Sequence, residues 1–233
     1  MEGRRESWMK IRARAAIFDT DGTLVDTLQR FYEVFAELLH RCCRRVIEWD
    51  EFLRGYVEDT LDDMIVKLAR ADGDALHRFW LEFLKMYRDR EVKSRPIGGA
   101  PETMRRLKEM GVPVAVTTSC IVPAERLREE LESLDIKGAD VIVTGLDLIE
   151  ELEGRHHFSK EGIFRLAAKR LGVREEDCVV IGDYWNDIAD GKKIGAKTVA
   201  VLTGLMRREL LERYGPDAII ESVERVFEVV EFL

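Results

Sequence analysis

Amides are almost missing from this chain. It holds one asparagine, Asn186, and one glutamine, Gln29, among 233 residues otherwise rich in Glu, Lys and Arg. That bias matches proteins of hyperthermophiles, which avoid thermolabile side chains, and it makes the position of the lone asparagine informative. Cysteine is scarce too. Cys42, Cys43, Cys120 and Cys178 show no metal-ligand spacing, and the adjacent Cys42–Cys43 pair is poor material for a disulfide framework. Reduced thiols in a cytoplasmic protein are the expectation. No apolar run approaches the ~20 residues that span a bilayer, and the charged opening residues form no apolar leader, so no membrane partner is expected. A formal net charge of -8 argues against nucleic acid as the main partner. The basic tract from Arg4 to Arg14 is interspersed with acids, lacks an aromatic stacking platform, and reads as a solvated arm. A Gly-x-x-x-x-Gly-Lys phosphate loop and a Gly-x-Gly-x-x-Gly fingerprint after a strand are both missing, so nucleotide folds of those types lose support. There is no internal repeat and no low-complexity tract.

What is present is a globular composition with a heavily charged surface: 46% hydrophobic and 35% charged residues. Six short apolar runs end in polar or Gly-rich turns: 13–19, 112–118, 139–145, 177–183, 196–204 and 217–222. Apolar on both faces, they read as buried strands of a parallel sheet. Helical patterns lie between them. Residues 99–111 carry Pro101 near the start and Gly111 at the end, and residues 159–172 run from a potential Ser159 cap to Gly172. Alternating strand and helix predicts an α/β fold with a doubly wound parallel sheet. Residues 28–95 break that rhythm. They form amphipathic helical stretches with no strand run, far more chain than a crossover needs, and imply an all-helical subdomain inserted into an α/β core of 1–27 and 96–233. The return runs through the Gly- and Pro-rich loop 95–101.

Ligands of open α/β sheets bind at the carboxyl ends of the strands. The first strand ends in Asp19, Thr20, Asp21, Gly22 and Thr23, the second in Thr117, Thr118 and Ser119, and the run at 178–181 in Gly182, Asp183, Tyr184, Trp185, Asn186 and Asp187. Three or four carboxylates on one rim are untenable without a cation. Oxygen-only ligands suit Mg²⁺, which takes one or two carboxylates and keeps waters for a phosphate. Hydroxyls and turn amides around Thr117 and Gly22 could then hold phosphate oxygens, with Thr23 and Thr118 alongside, and a lysine could neutralise the rest. Asp19 would be free to attack as nucleophile and Asp21 to protonate the leaving group. A lone Asp-x-Asp-Gly turn is more often structural, and the adjacent His156 and His157 point apart, as solvated loop residues do.

The stretches "FDTDGTLVDT", "VAVTTS" and "VVIGDYWNDIADGKKIGAKTVAVLTG", in that order, resemble the haloacid dehalogenase superfamily of phosphohydrolases, over residues 13–27 and 96–204. The nearest subgroup is the one containing phosphoglycolate phosphatases and β-phosphoglucomutases. The resemblance implies an aspartyl-phosphate formed on Asp19, with Asp21 as acid and then base and Thr117 on a phosphoryl oxygen. Its metal set is Asp19, Asp183, Asp187 and Asp21, the last through its carbonyl, with Asn186 in support. That subgroup carries Lys-Pro before the fourth motif. Here "RHHFSKEGIF" has no proline, and Lys160 takes the role of cation with Arg155 as the fallback. Dehalogenases lack the second aspartate, so Asp21 favours phosphoester chemistry. The inserted segment 28–95 resembles that superfamily's all-helical cap over its catalytic core, and within it "LRGYVEDTL" (53–61) resembles a substrate-contacting loop, with Arg54 and Gly55 as candidates; Val57 stands where mutases place a basic residue. The expected activity is an Mg²⁺-dependent phosphatase acting on a small phosphorylated metabolite such as phosphoglycolate. A phosphosugar mutase and a non-catalytic binder of phosphometabolites are the alternatives, and the sequence leaves oligomeric state open.

Overall fold

The computed structural model describes residues 10–154 and 159–233. In chain order it runs through β1 (Ile11–Ala13), β2 (Ala15–Asp19), β3 (Val25–Asp26), α1 (Leu28–Cys43), α2 (Trp49–Val57), α3 (Leu61–Ala69) and α4 (Gly73–Met86). Next come β4 (Arg95–Pro96), α5 (Ala100–Glu109), β5 (Val114–Thr117), α6 (Ala124–Ser133), β6 (Val141–Val143), α7 (Ile149–Gly154) and α8 (Glu161–Leu171). The chain closes with β7 (Cys178–Gly182), α9 (Trp185–Lys193), β8 (Lys197–Val201), α10 (Arg208–Glu212), β9 (Ala218–Ile220), α11 (Val226–Val229) and β10 (Val230–Phe232).

All six apolar runs become strands of one parallel sheet, ordered β6-β5-β2-β7-β8-β9. Numbered along the chain, that order is 3-2-1-4-5-6. Winding reverses between β2 and β7, so the topological switch point lies at the ends of the strands that carry Asp19 and Asp183. Alternate residues of β2 feed opposite layers. Ala16 and Phe18 pack with Met104 and Leu107 of α5 and with Leu127 of α6. Ala15 and Ile17 pack with Ile163, Phe164 and Ala167 of α8. The helix signals fall where the residue chemistry puts them. Pro101 occupies the first turn of α5, where its missing N–H costs nothing. Gly172 ends α8 in the left-handed region at φ 70. Run 13–19 differs in detail, because Arg14 interrupts it and the preceding residues turn away as β1 to pair with β10.

The inserted stretch is helical, as expected, and closes its own apolar cluster. Val34, Phe35, Leu38 and Leu39 line one face of α1 and pack against Phe52, Ile65, Phe79 and Phe83. Cys120 and Val122 of the loop after β5 join that cluster from the sheet side. Rings are dense there, with Phe31 and Phe83 centroids 4.6 Å apart. Entry and exit of the stretch are tied together, since β3 pairs antiparallel with β4. The pattern over 50–71, continuous in sequence, breaks at Glu58–Thr60, where Asp59 adopts φ 56.

Candidate active site

The site grows from two tight turns at the switch point. After β2 the chain reverses over Asp21–Val25, with Gly22 at φ 80 and its N–H donating to the Val25 carbonyl at 2.8 Å. A side chain at Gly22 would lie 2.5 Å from an Asp183 oxygen, so glycine satisfies both the turn and the close approach. After β7, Asp183 is seated between Gly22 and Gly204; a Cβ on Gly204 would overlap its carboxylate. Thr23 Oγ1 donates to Asp183 Oδ1 at 2.7 Å, and Thr203 Oγ1 donates to the Gly22 carbonyl at 2.6 Å. Asp187, in the first turn of α9, accepts the Tyr184 N–H on Oδ2 at 3.1 Å, where the helix dipole favours a carboxylate.

Asp19, Asp183 and Asp187 are all buried and offer oxygens within 4.8 Å of one another. Lys160 enters from the start of α8. Its Nζ lies 2.8 Å from Asp19 Oδ1 and 2.6 Å from Asp187 Oδ1, with only 9% of the side chain exposed. Asp190 steers it by accepting the Lys160 N–H at 2.7 Å and the Ser159 hydroxyl at 3.1 Å. Ser159 thus ties down the helix start, also accepting from the Glu161 N–H. Burial would lower the Lys160 ammonium, but Asp187 and Asp19 outweigh it and hold the lysine charged. One ammonium facing three acids does not balance them. Burial, opposed by Lys160 and reinforced by Asp187 and Asp21, pushes Asp19 up to about 7. Asp183 is raised well above the carboxylate range by burial and by Asp19 and Asp187, and Asp187 is raised by burial.

These residues fit a hard divalent cation. The donors are all carboxylate oxygens, they converge, and their charge exceeds what Lys160 supplies. The Oδ1 of Asn186, the lone asparagine, is buried with no hydrogen-bond partner among the described residues.

Asp21 stands apart from the three. Its carboxylate is shared with Arg88, whose Nη2 lies 2.7 and 2.6 Å from the two oxygens, and the Thr118 hydroxyl donates to Oδ2 at 3.1 Å. Thr117, in register with Asp19, is fully buried and turns its hydroxyl onto the Phe18 carbonyl at 3.0 Å. Thr20 is buried on Thr117's carbonyl at 2.8 Å, away from the open rim. Of the cap candidates, Arg54 is exposed on α2 and Gly55 is buried. Gly55 has a packing reason: a Cβ would meet Leu61 Cδ2 at 2.9 Å, so its absence lets α3 fold back onto α2. The Tyr56 hydroxyl, on α2, is pushed far up by burial and by Asp183, Asp21, Asp19 and Asp187. The α2–α3 turn docks on the sheet side, where the Tyr184 hydroxyl donates to Asp59 and Arg207 pairs with Glu58 at 2.6 Å. Arg155, His156 and His157 lie outside the described residues.

Sequence reasoning missed Arg88, Thr203 and Gly204. The last two follow β8, and the strand-end rule applied to a fourth strand would have found them. Arg88 carries no local mark.

Residues 16–201 match a family model described as haloacid dehalogenase-like hydrolase. A protein named pyrophosphatase PpaX, from Bacillus cereus, is 26% identical over 220 residues, spanning 94% of this chain and 97% of that one. Among solved structures, a predicted phosphatase from Clostridium acetobutylicum superposes with a TM-score of 0.72 at 21% identity, over 94% of this chain and 98% of its own. A predicted phosphoglycolate phosphatase from Haemophilus somnus gives 0.67 at 19%, over 93% and 97%. Those likenesses show the shared fold. No helix among the described residues is long and apolar enough to cross a membrane.

Proposed function

This chain belongs to the haloacid dehalogenase-like hydrolases, and on that premise we propose that it is an Mg²⁺-dependent phosphatase of small phosphorylated metabolites, with Asp19 as nucleophile. The observation that carries this reading is the buried cluster Asp19–Asp183–Asp187 around Lys160, with Asp21 two residues beyond Asp19 and outside the cluster. Asp19 and Asp183 would hold the metal with the Asp21 carbonyl, and Asp187 would support it. Mg²⁺ bound there supplies the positive charge that keeps these acids ionised beside an anionic phosphate.

An Asp19 oxygen attacks phosphorus, the phosphorus–oxygen bond to the leaving group breaks, and the departing oxygen takes a proton from the Asp21 carboxyl. Lys160, 2.8 Å from Asp19, opposes the burial that favours a protonated nucleophile and meets the phosphoryl oxygens. In the second half a water attacks phosphorus, Asp21 takes its proton, and the Asp19 carboxylate leaves. A merely binding protein has no use for Asp21. Residues 28–95 act as the cap, and the docked turn at Glu58–Thr60 restricts the site to compact substrates. Phosphoglycolate is the leading substrate. Inorganic pyrophosphate is a second reading, favoured by the full-length likeness to a protein named as a pyrophosphatase.

The test is a panel of small phosphoesters and pyrophosphate assayed for phosphate release with and without Mg²⁺, beside Asp19→Asn. We expect Mg²⁺-dependent release that the variant lowers by at least ~10³-fold while its melting curve stays cooperative. Wild-type turnover by Asp19→Asn would remove the nucleophile, and interconversion of sugar phosphates without phosphate release would make the enzyme a mutase.

A further inference from the structure

Asp21 draws its compensating cation from outside the sheet. Arg88 lies in the short turn Tyr87–Asp89 that follows α4, and its side chain is 3% exposed. One nitrogen reaches both Asp21 oxygens, and Nη1 reaches Glu130 Oε2 at 2.7 Å. The other Glu130 oxygen accepts from Arg30 Nη2 at 2.7 Å, and Arg30 also donates to Ser94 at 3.0 Å. The Tyr87 ring packs against both guanidinium groups, 5.5 Å from Arg88 and 5.7 Å from Arg30. The guanidinium that meets Asp21 is thus fixed by a carboxylate and a ring, with a second arginine behind them.

The hydrogen bonds say which job this arrangement serves. Asp21 accepts from Arg88 on both oxygens and from Thr118 on Oδ2. These donated hydrogen bonds hold the carboxylate in one orientation. We infer that Arg88 is a positioning residue for the second half of the reaction, fixing the orientation of the Asp21 carboxylate that takes the proton of the attacking water. The inference rests on the assignment of Asp21 in the proposed phosphatase. In that step the water oxygen bonds to phosphorus, its O–H pair stays with oxygen as the proton passes to Asp21, and the phosphorus–oxygen bond to Asp19 breaks with its electrons returned to Asp19. Arg88 acts only through Asp21, whose carboxylate it contacts. Because the turn that carries it is continuous with the inserted helices, this orientation holds only while α4 sits where the structure puts it.

The experiment uses 2,4-dinitrophenyl phosphate with Mg²⁺. Its leaving group needs no proton, so its first half is independent of Asp21 as acid. For Arg88→Gln we expect kcat to fall on the order of 10- to 100-fold with KM falling in parallel, so that kcat/KM stays within ~3-fold. A burst of about one dinitrophenolate per enzyme should precede the slow phase, and phosphorylated protein should accumulate on acid quench. Arg88→Lys should recover kcat to within ~10-fold of wild type. Glu130→Gln, which keeps Arg88 but loosens it, should show a weaker form of the same burst, and it carries the test if Arg88→Gln fails to fold. A fall in kcat at unchanged KM without a burst, or an unchanged kcat, overturns the inference and leaves the phosphatase reading standing. A wild-type protein inactive on this ester would instead remove that reading, and this inference with it.

Discussion

The rim's acids are compensated from two different regions of the molecule. Asp19, Asp183 and Asp187 come from β2, β7 and α9, and their cation, Lys160, comes from the sheet's own layer at the start of α8. Asp21 is paired with Arg88, which the helical cap delivers from the far end of α4. Two residues apart in sequence, Asp19 and Asp21 thus report to different parts of the protein. The sheet-held half is preset by strand register; the other half depends on where the helices sit. A site divided in this way sets the surroundings of Asp19 by strand register and those of Asp21 by the placement of the inserted helices.

Removing each cation should therefore give different signatures. Lys160→Met is expected to have the largest effect. It leaves two buried carboxylates facing each other, which costs about 3–5 kcal/mol of stability without metal and lowers turnover by about 10²–10³-fold. No burst should appear, because the first half of the reaction is struck directly; melting curves and pre-steady-state assays of this variant beside Arg88→Gln separate the two halves. If both variants behave alike, the division is wrong.

A smaller effect comes from protons alone. Without metal, burial raises Asp19 from its ordinary 3.8 to about 7 and raises Asp183 and Asp187 as well. The folded chain then binds more protons than the unfolded chain across that window, so the stability present at its acid end is lost as pH rises through it. Melting temperatures in chelator should fall by several degrees from about pH 4 to about pH 7, and saturating Mg²⁺ should flatten that slope because the ionised acids are then compensated. An unchanged slope would mean that the metal does not sit on the sheet-held half.

The smallest effect belongs to the exposed bridge from Arg207 to Glu58, with side chains 57% and 43% exposed. Arg207→Ala should cost no more than about 1 kcal/mol, a shift of ~4 °C or less. It should alter KM for compact substrates more than stability if docking of the α2–α3 turn confines the site; steady-state kinetics beside a thermal melt decides this.

Much of the sheet-held half was legible in advance. Asp19, Asp183 and Asp187 stand at the ends of apolar runs whose period and length mark buried strands, and the strand-end rule brings them together without coordinates. Lys160 could be named because it is the lysine at the start of the helix that precedes the motif holding Asp183 and Asp187. The cap-held half was not legible to the same degree. Arg88 follows an aromatic stripe as many solvated arginines do, and nothing within ten residues of it marks a carboxylate 67 positions away. Gly55 illustrates the converse, since its neighbours in sequence suggested a substrate loop whereas its contacts show a helix–helix approach.

By itself, then, the sequence determined the parallel sheet, the helical insertion and the identity of the acids at the rim, because these follow from local periodicity and from chemistry at strand ends. Tertiary structure alone decided how the acids are partitioned between two cations, which hydroxyl faces Asp21, and that Thr117 turns back onto the neighbouring strand. Those outcomes depend on distances between segments far apart in the chain, and the physical reason is that charge compensation acts across space, where pattern along the chain carries no information.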